Sequence, residues 1–329
     1  MIVTRAPLRI PLGGGGTDLP SYYGKYEGFI LSAAIDKFVF IHLNKLHVDD
    51  TYRLKYSQAE VARTVDEIRH PLLREALRFT GVRSGIEIAS MADVPAGTGM
   101  GSSSCFLVAA LSALHALKRE SIPTQLLAEE AYGIEVEKAR QPVGKQDHYL
   151  ASFGGLTCLE INRDGKVTVT PLSISLSDFE DLRHNILLFF TGIERRSFDI
   201  LAAQKADTDN GNEAVVDSLH RTKELGYRIK DVLETGNLDH FGRLLDEHWQ
   251  NKKRRSSEIS NPQVERWYQM ARESGALGGK LMGAGGGGFL MFYCPNNHKV
   301  GLRQAMRSEG LREMAFDFDL EGAKVMVNF

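Results

Sequence analysis

The chain has 329 residues, 43% of them hydrophobic, and its 40 Lys and Arg face 42 Asp and Glu for a formal net charge of −2. That near balance excludes a polyanion binder carried by bulk charge, so no nucleic-acid partner is expected, and the apolar fraction excludes a disordered chain. Cys105, Cys158 and Cys294 are odd in number, far apart and never form a C-x-x-C pair, which argues against a disulfide framework or structural zinc and fits a reducing cytoplasm.

At roughly 100–200 residues per domain the length corresponds to about two domains, and a composition shift over Ser173–Asp181 puts their boundary near residue 180, giving α+β domains 1–180 and 181–329. The opening strand, Ile2–Ile10, runs into Gly13-Gly14-Gly15-Gly16-Thr17-Asp18, and Gly28–Asn44 reads as two strands in hairpin order. Arg5, Pro7 and Arg9 interrupt the apolar run that a signal peptide needs, so no export signal is expected. Glu60–Phe79 is predicted to be helical, Gly85-Ile86-Glu87-Ile88 alternates as a strand does, and Cys105–Lys118 reads as an apolar helix. The persistently apolar part of that helix would span roughly 18 Å against the roughly 30 Å of a bilayer core, so no membrane span is expected. A helix from Pro123-Thr124 to about Arg140, a turn over Gln141–Asp147 and a hairpin closed by Asp164-Gly165 follow. Later come strand Asn185–Thr191, amphipathic helices Phe198–Glu234, Leu238–Arg255 and Val264–Ser274, strand Gly287–Tyr293, helix Lys299–Glu309 and strand Ala323–Asn328.

Much of the glycine falls in three clusters, where backbone can come close to another group. The strongest is Pro95-Ala96-Gly97-Thr98-Gly99-Met100-Gly101-Ser102-Ser103-Ser104, between a strand and the apolar helix. A helix N-terminus carries unpaired N–H groups and the positive end of the dipole, so a glycine-rich entry there makes a phosphate cradle. A serine-capped helix after a flexible turn is the plainer alternative, but one cap does not need three glycines at alternate positions. The Walker A pattern, the G-x-G-x-x-G dinucleotide fingerprint and the protein-kinase motifs are all missing. The second cluster, Gly13–Gly16, follows Arg5 and Arg9 in an otherwise apolar strand. The third, Gly283-Ala284-Gly285-Gly286-Gly287-Gly288, enters an apolar strand at an entropic cost that close backbone contact would explain, a hinge being the alternative.

In this order the three clusters resemble the three motifs of the GHMP small-molecule kinases, named for galactokinase, homoserine kinase, mevalonate kinase and phosphomevalonate kinase, and the resemblance covers the whole chain. It implies an α+β two-domain fold, with an N-terminal ribosomal-S5-like domain, a C-terminal ferredoxin-like domain and an active site in the cleft. Arg5-Ala6-Pro7-Leu8-Arg9-Ile10 followed by the Gly-Thr-Asp run resembles the sugar-kinase branch. Galactokinases carry Glu-His at the place of Gly15-Gly16, which counts against galactose. The stretches PLRIPLGGGGTDLPSYY, GKQDHYLASFGG and GGKLMGAGGGGF are most similar to the D-glycero-D-manno-heptose 7-phosphate kinases, with fucokinase domains nearby.

The resemblance implies ATP held by Pro95, Gly97, Gly99, Gly101, Ser102, Ser103 and Ser104, and Mg²⁺ held by Ser103 and Glu135. It makes Asp147 the candidate base, puts Arg9 near the transferred phosphoryl and puts Gly15, Gly16, Thr17 and Asp18 on the sugar, with Gly285 and Gly286 also on the substrate. Helix periodicity alone does not separate Glu135 from Glu137; the family's interval to Asp147 selects Glu135. An acceptor phosphate points to Arg195, after Thr191-Gly192, and to Lys252 in Lys252-Lys253-Arg254-Arg255. The plainer readings are surface arginine at a turn and a solvated helix-end run that answers the dipole. The histidines show no metal-ligand spacing, and Tyr22 and Tyr23 read equally as sugar-stacking or core. The expected activity is Mg-ATP-dependent phosphorylation of the anomeric hydroxyl of a heptose 7-phosphate in nucleotide-activated heptose synthesis. The alternatives are a fucose or other hexose 1-kinase, and a non-catalytic sensor, against which the joint presence of Arg9, Ser103, Glu135 and Asp147 counts.

Overall fold

In the computed structural model, which describes residues 1–193 and 197–329, β1 (Ile2–Gly13) is buried along almost its whole length. A short helix, α1 (Pro20–Tyr26), leads into β2 (Gly28–Lys45). The sequence suggested two strands here, but β2 is one 18-residue strand. Its register with β1 shifts between Pro7 and Leu8, so Asp36 and Lys37 are absorbed in a bulge opposite that step. The far edge of β2 carries two neighbours end to end, and this is where its two halves differ.

β3 (Tyr52–Lys55) and β4 (Ala59–Ala62) form a small hairpin. The helix expected over Glu60–Phe79 is realised only as α2 (Pro71–Thr80): the earlier residues pair as β4, and Pro71 suits the first turn of a helix but not its interior. β5 (Ile86–Ala92) pairs with the second half of β2. α3 (Ser102–Lys118) starts at Ser102 rather than Cys105 and packs along β1, where Thr4 Oγ1 donates to Ala109 O at 2.7 Å and Cys105 Sγ to Pro7 O at 3.0 Å. α4 (Thr124–Gly133) continues into a π-turn over Ile134–Lys138, marked by Ala139 N donating to Ile134 O at 2.9 Å. α5 (Gln146–Phe153) begins within the last two residues of the turn expected over Gln141–Asp147 and continues to Phe153, a stretch for which the sequence predicts no element. β6 (Leu156–Ile161) and β7 (Val167–Pro171) make the expected hairpin, β6 pairing with the first half of β2.

The composition shift turns out to hold α6 (Leu176–Asn185), N-capped by Ser175, whose Oγ accepts from Asp178 N at 3.1 Å. After β8 (Ile186–Phe190), the long helix expected over Phe198–Glu234 is broken at Asn210-Gly211 into α7 (Ser197–Asp209) and α8 (Glu213–Glu234). α9 (Leu238–Lys253), α10 (Pro262–Glu273), β9 (Gly278–Leu281), β10 (Phe289–Tyr293), α11 (Lys299–Ser308) and β11 (Arg312–Met314) follow. The second sheet has the antiparallel order β11-β8-β10-β9, and its core includes Phe189, Trp249, Trp267 and Phe292. The last strand, β12 (Lys324–Asn328), crosses back to pair with β1. The first sheet therefore runs β12-β1-β2-β5-β3-β4, with β6 and β7 branching from β2. No helix among the described residues is long and apolar enough to cross a membrane.

Candidate active site

A cavity of about 1010 Å³ takes its walls from both halves of the chain, with Arg9, Asp18, Ser103, Glu135 and Asp147 from the first and His248, Lys252, Arg255 and Lys280 from the second. α3 opens directly behind Gly101 with no acidic residue in its first turn. Its free N–H groups and positive dipole end are therefore available to an anion. Gly97, Gly99, Gly101, Ser102, Ser103 and Ser104 line the cavity. Pro95 does not; its carbonyl accepts from Thr98 Oγ1 at 3.0 Å.

The third glycine cluster braces this loop by backbone contact. A Cβ on Gly283 would lie 2.6 Å from Gly99 Cα, and one on Gly288 2.2 Å from Thr98 O. Gly285 and Gly286, expected on the substrate, do not line the cavity, and the Gly286 N–H is spent on Ile259 O at 2.8 Å.

The π-turn after α4 delivers Glu135 to the mouth of α3. Its carboxylate is fully buried and accepts from Ser103 Oγ and, at 2.8 Å, from Ser104 Oγ, while His148 Nε2 of α5 lies 2.7 Å from Oε2. Burial pushes this carboxyl up, but the hydrogen bond and charge of His148 with the two serine hydroxyls outweigh it and hold the group below its ordinary value. Glu137 is exposed, so the structure separates the two glutamates that periodicity could not.

On β1, Arg9 is buried and reaches two partners: Nη1 donates to Gly99 O at 2.7 Å, and Nη2 lies 2.7 Å from Asp147 Oδ1 in the first turn of α5. Asp18 is held beside them, its carboxylate accepting from Gly16 N at 3.2 Å and Gln146 N at 3.0 Å. Burial raises this carboxyl, the backbone donors oppose the shift and the charge of Asp147 adds to it, leaving it above the ordinary carboxylate value. Gly144 makes the arrangement possible, because a Cβ there would fall 2.0 Å from Asp18 Oδ2. Gly15 and Gly16 line the cavity. Thr17 does not: its Oγ1 is internal, 2.9 Å from both Gly14 O and Phe29 O. Tyr22 and Tyr23 are buried away from the cavity, with Tyr22 Oη 2.7 Å from His220 Nδ1.

The basic run at the C-terminal end of α9 is not the solvated helix end of the plainer reading. Lys252 and Arg255 are buried in the cavity wall, whereas Lys253 pairs with Glu265 at 2.6 Å and Arg254 is exposed. Lys252 Nζ donates to Leu281 O at 3.0 Å and Gly283 O at 2.6 Å. Arg195 lies outside the described residues. Lys280 and His248, isolated basic residues with no distinguishing spacing, escaped the sequence reading. So did the apolar end of the cavity, where the His70 ring stacks on Phe106 at 4.7 Å beside Val39, Tyr56, Met91 and Val94.

Among the described residues no cluster of three or more His, Cys, Asp or Glu offers a closed metal site. Ser103 and Glu135 supply adjacent hard oxygens, and Ser102 Oγ is buried in the same turn without a partner among the described residues. That sparse set suits Mg²⁺, which keeps waters and phosphate oxygens in its shell.

A glycine-rich helix entry, a buried carboxylate at its mouth and an arginine–aspartate pair across from it define a small-molecule kinase. Residues 59–155 match the family model of the GHMP kinases N terminal domain and residues 229–311 that of GHMP kinases C terminal, and the chain belongs to this family. Within it the chain is a sugar kinase. It is 31% identical, over 98% of its own length and 98% of the relative's, to the D-glycero-alpha-D-manno-heptose 7-phosphate kinase of Campylobacter jejuni. The fold is shared with a D-glycero-D-manno-heptose 1-phosphate kinase from Bacteriodes thetaiotaomicron, at TM-score 0.82 and 24% identity with all of both chains covered. It is shared too with Lactococcus lactis galactokinase complexed with galactose, at TM-score 0.77 and 18% identity over 98% of this chain and 94% of that one.

Proposed function

We propose that the chain transfers the γ-phosphoryl group of ATP to the anomeric hydroxyl of D-glycero-D-manno-heptose 7-phosphate, giving the 1,7-bisphosphate in nucleotide-activated heptose biosynthesis in the cytoplasm. The observation that carries the reading is the Arg9–Asp147 pair at 2.7 Å, set between the α3 cradle and Asp18. The heptose kinase relative supplies the acceptor.

In this reading residues 1–180 contribute the cradle and the reacting groups, and residues 181–329 contribute the opposite wall. The flat His70–Phe106 end takes the adenine, and the amides of Gly99–Ser104 hold the phosphates. Ser103 and Glu135 hold Mg²⁺, which would offset phosphate charge and orient the γ-phosphoryl. Asp18 and Gly15-Gly16 orient the sugar. Asp147 positions the anomeric hydroxyl and accepts its proton as the bond to the γ-phosphorus forms and the bond from that phosphorus to the bridging oxygen breaks, ADP leaving with the electron pair. Arg9, fixed from behind by Gly99 O, offers its remaining donor capacity to the equatorial oxygens of the transferred group.

The test is ADP release from Mg-ATP against D-glycero-D-manno-heptose 7-phosphate, mannose 6-phosphate, free mannoheptose, L-fucose and galactose, with the position of the new phosphate read by phosphorus NMR. Turnover on the heptose phosphate with an anomeric phosphate appearing is expected. Turnover confined to an unphosphorylated sugar would discard the acceptor and keep the kinase.

A further inference from the structure

The cavity holds two ion pairs at its reacting end, and behind them two cations that have no carboxylate partner among the described residues. Arg9 faces Asp147, and Glu135 faces His148. Arg255 and Lys280, both buried, meet only neutral acceptors: Arg255 donates to Ser218 Oγ at 3.1 Å, to Thr222 Oγ1 and to Gly15 O at 3.3 Å, and Lys280 Nζ to Leu12 O at 3.0 Å. Among the described residues neither has a carboxylate within ion-pair distance. His248 lines the same wall at 2% exposure, and among the described residues neither of its ring nitrogens has a partner.

Burying cations without counter-charge is strongly unfavourable, so a cluster of this kind is explained by a ligand that brings the negative charge. Its donors are a planar guanidinium, an ammonium and an imidazole N–H, the set that fits the oxygens of a phosphate. We infer that Arg255, Lys280 and His248 form the subsite for the phosphate that the acceptor already carries, a dianionic monoester remote from the hydroxyl that reacts. This inference rests on the sugar phosphate reading given above.

The position of Arg255 separates this role from one toward the nucleotide. Its guanidinium lies against Gly15-Gly16, and a Cβ on Gly16 would stand 2.9 Å from Nη1. The glycine pair that replaces the Glu-His of galactokinases therefore makes room for a guanidinium at the acceptor end. Lys252, by contrast, is engaged with Leu281 O and Gly283 O beside the cradle. The cluster answers its own crowding as a phosphate site would. Burial, then the neighbouring cations, pushes His248 well below its ordinary value and Lys280 down to about 7, so an arriving phosphate finds groups that gain from its charge.

The test compares kcat/KM for D-glycero-D-manno-heptose 7-phosphate with that for the unphosphorylated heptose, in the full chain and in Arg255→Gln, Lys280→Met and Lys253→Met, together with the Kd of a non-hydrolysable ATP analogue. Lys280→Met replaces a buried ammonium by an apolar side chain of similar length and guards against a variant that does not fold. The preference for the phosphorylated acceptor is expected to fall about 10–100-fold in the first two variants, through KM, as loss of one charge-assisted hydrogen bond does. Nucleotide affinity is expected to stay put, and Lys253→Met to behave as wild type. An unchanged preference in both variants overturns the subsite while leaving the acceptor standing. Equal loss on both acceptors with weaker nucleotide binding overturns it in favour of the triphosphate. A wild-type enzyme with no preference for the phosphorylated sugar overturns the acceptor and the subsite together.

Discussion

Asp147 sits on the first turn of a short helix, 22% exposed and 2.7 Å from a guanidinium, and its two possible duties can be separated by one atom. Asp147→Asn keeps the size and one oxygen but cannot take the proton or pair with Arg9. It is expected to lose at least about 100-fold in kcat, the usual contribution of a positioned acid or base, while a calorimetric titration shows nucleotide affinity close to wild type. Lys280 makes a different kind of prediction. Its ammonium ordinarily loses its proton near 10.5 and in the folded protein near 7. Between those values the unfolded chain binds more protons than the folded one, so stability falls as pH drops from about 10.5 and the penalty is fully in place below about 7. Lys280→Met removes that penalty: the ligand-free variant is expected to melt higher than wild type at pH 6.5, with the gap shrinking toward pH 10. An equal gap at both would show that the charge is not its origin. At this scale the place of Arg9, Asp18, Ser103, Glu135 and Asp147 in one cavity was legible through the resemblance of their motifs to those of the GHMP kinases. Arg255 was not, because four consecutive cations read as a solvated helix end, and only the packing of its guanidinium against Ser218 and Thr222 of α8 turns it inward.

Among the elements, the α3 cradle is shaped as much by its support as by its own residues. Gly288, at φ +94°, lets β10 begin with its backbone against Thr98 O, and no other residue fits that approach without moving the loop. Gly288→Ala is therefore expected to weaken nucleotide binding about 10-fold or more, by tilting the amides away from the phosphates, with a smaller effect on acceptor KM; separate titrations of the two ligands check the split. The π-turn that follows α4 does comparable work for Glu135, and sequence gave no sign of it beyond a helix with two acidic residues. Local pattern placed most strands and helices. It failed where partners decide: β4 inside a stretch with helical spacing, the single strand β2 whose halves pair with β5 and β6, and the short edge strands β9 and β11, each too brief to show a period.

At the scale of the whole molecule, the cavity exists because two sheets meet over it, sharing one core in which Leu188, Phe289 and Met291 of the second join Leu8, Phe29 and Ile41 of the first, one bringing the carboxylates and the cradle, the other Arg255 and Lys280. The halves are stitched in both directions, by α8 against β1 at Gly13 and Gly226 and by β12, which leaves the second sheet's neighbourhood to complete the first. Arg5 on β1 meets Asp319 at 3.3 Å and also Glu321 across 314 and 316 residues of chain. Contacts of such sequence separation carry a large loop-closure cost and slow the search for the native topology. On the ribosome, where about 5–20 residues emerge each second, β1 keeps one open edge until β12, the partner far along the chain, has emerged. Of the edges that pair in the finished first sheet, that of β1 thus waits longest for its partner, and a growing chain of this protein is most vulnerable to mispairing there, well before any chemistry in the cavity is possible.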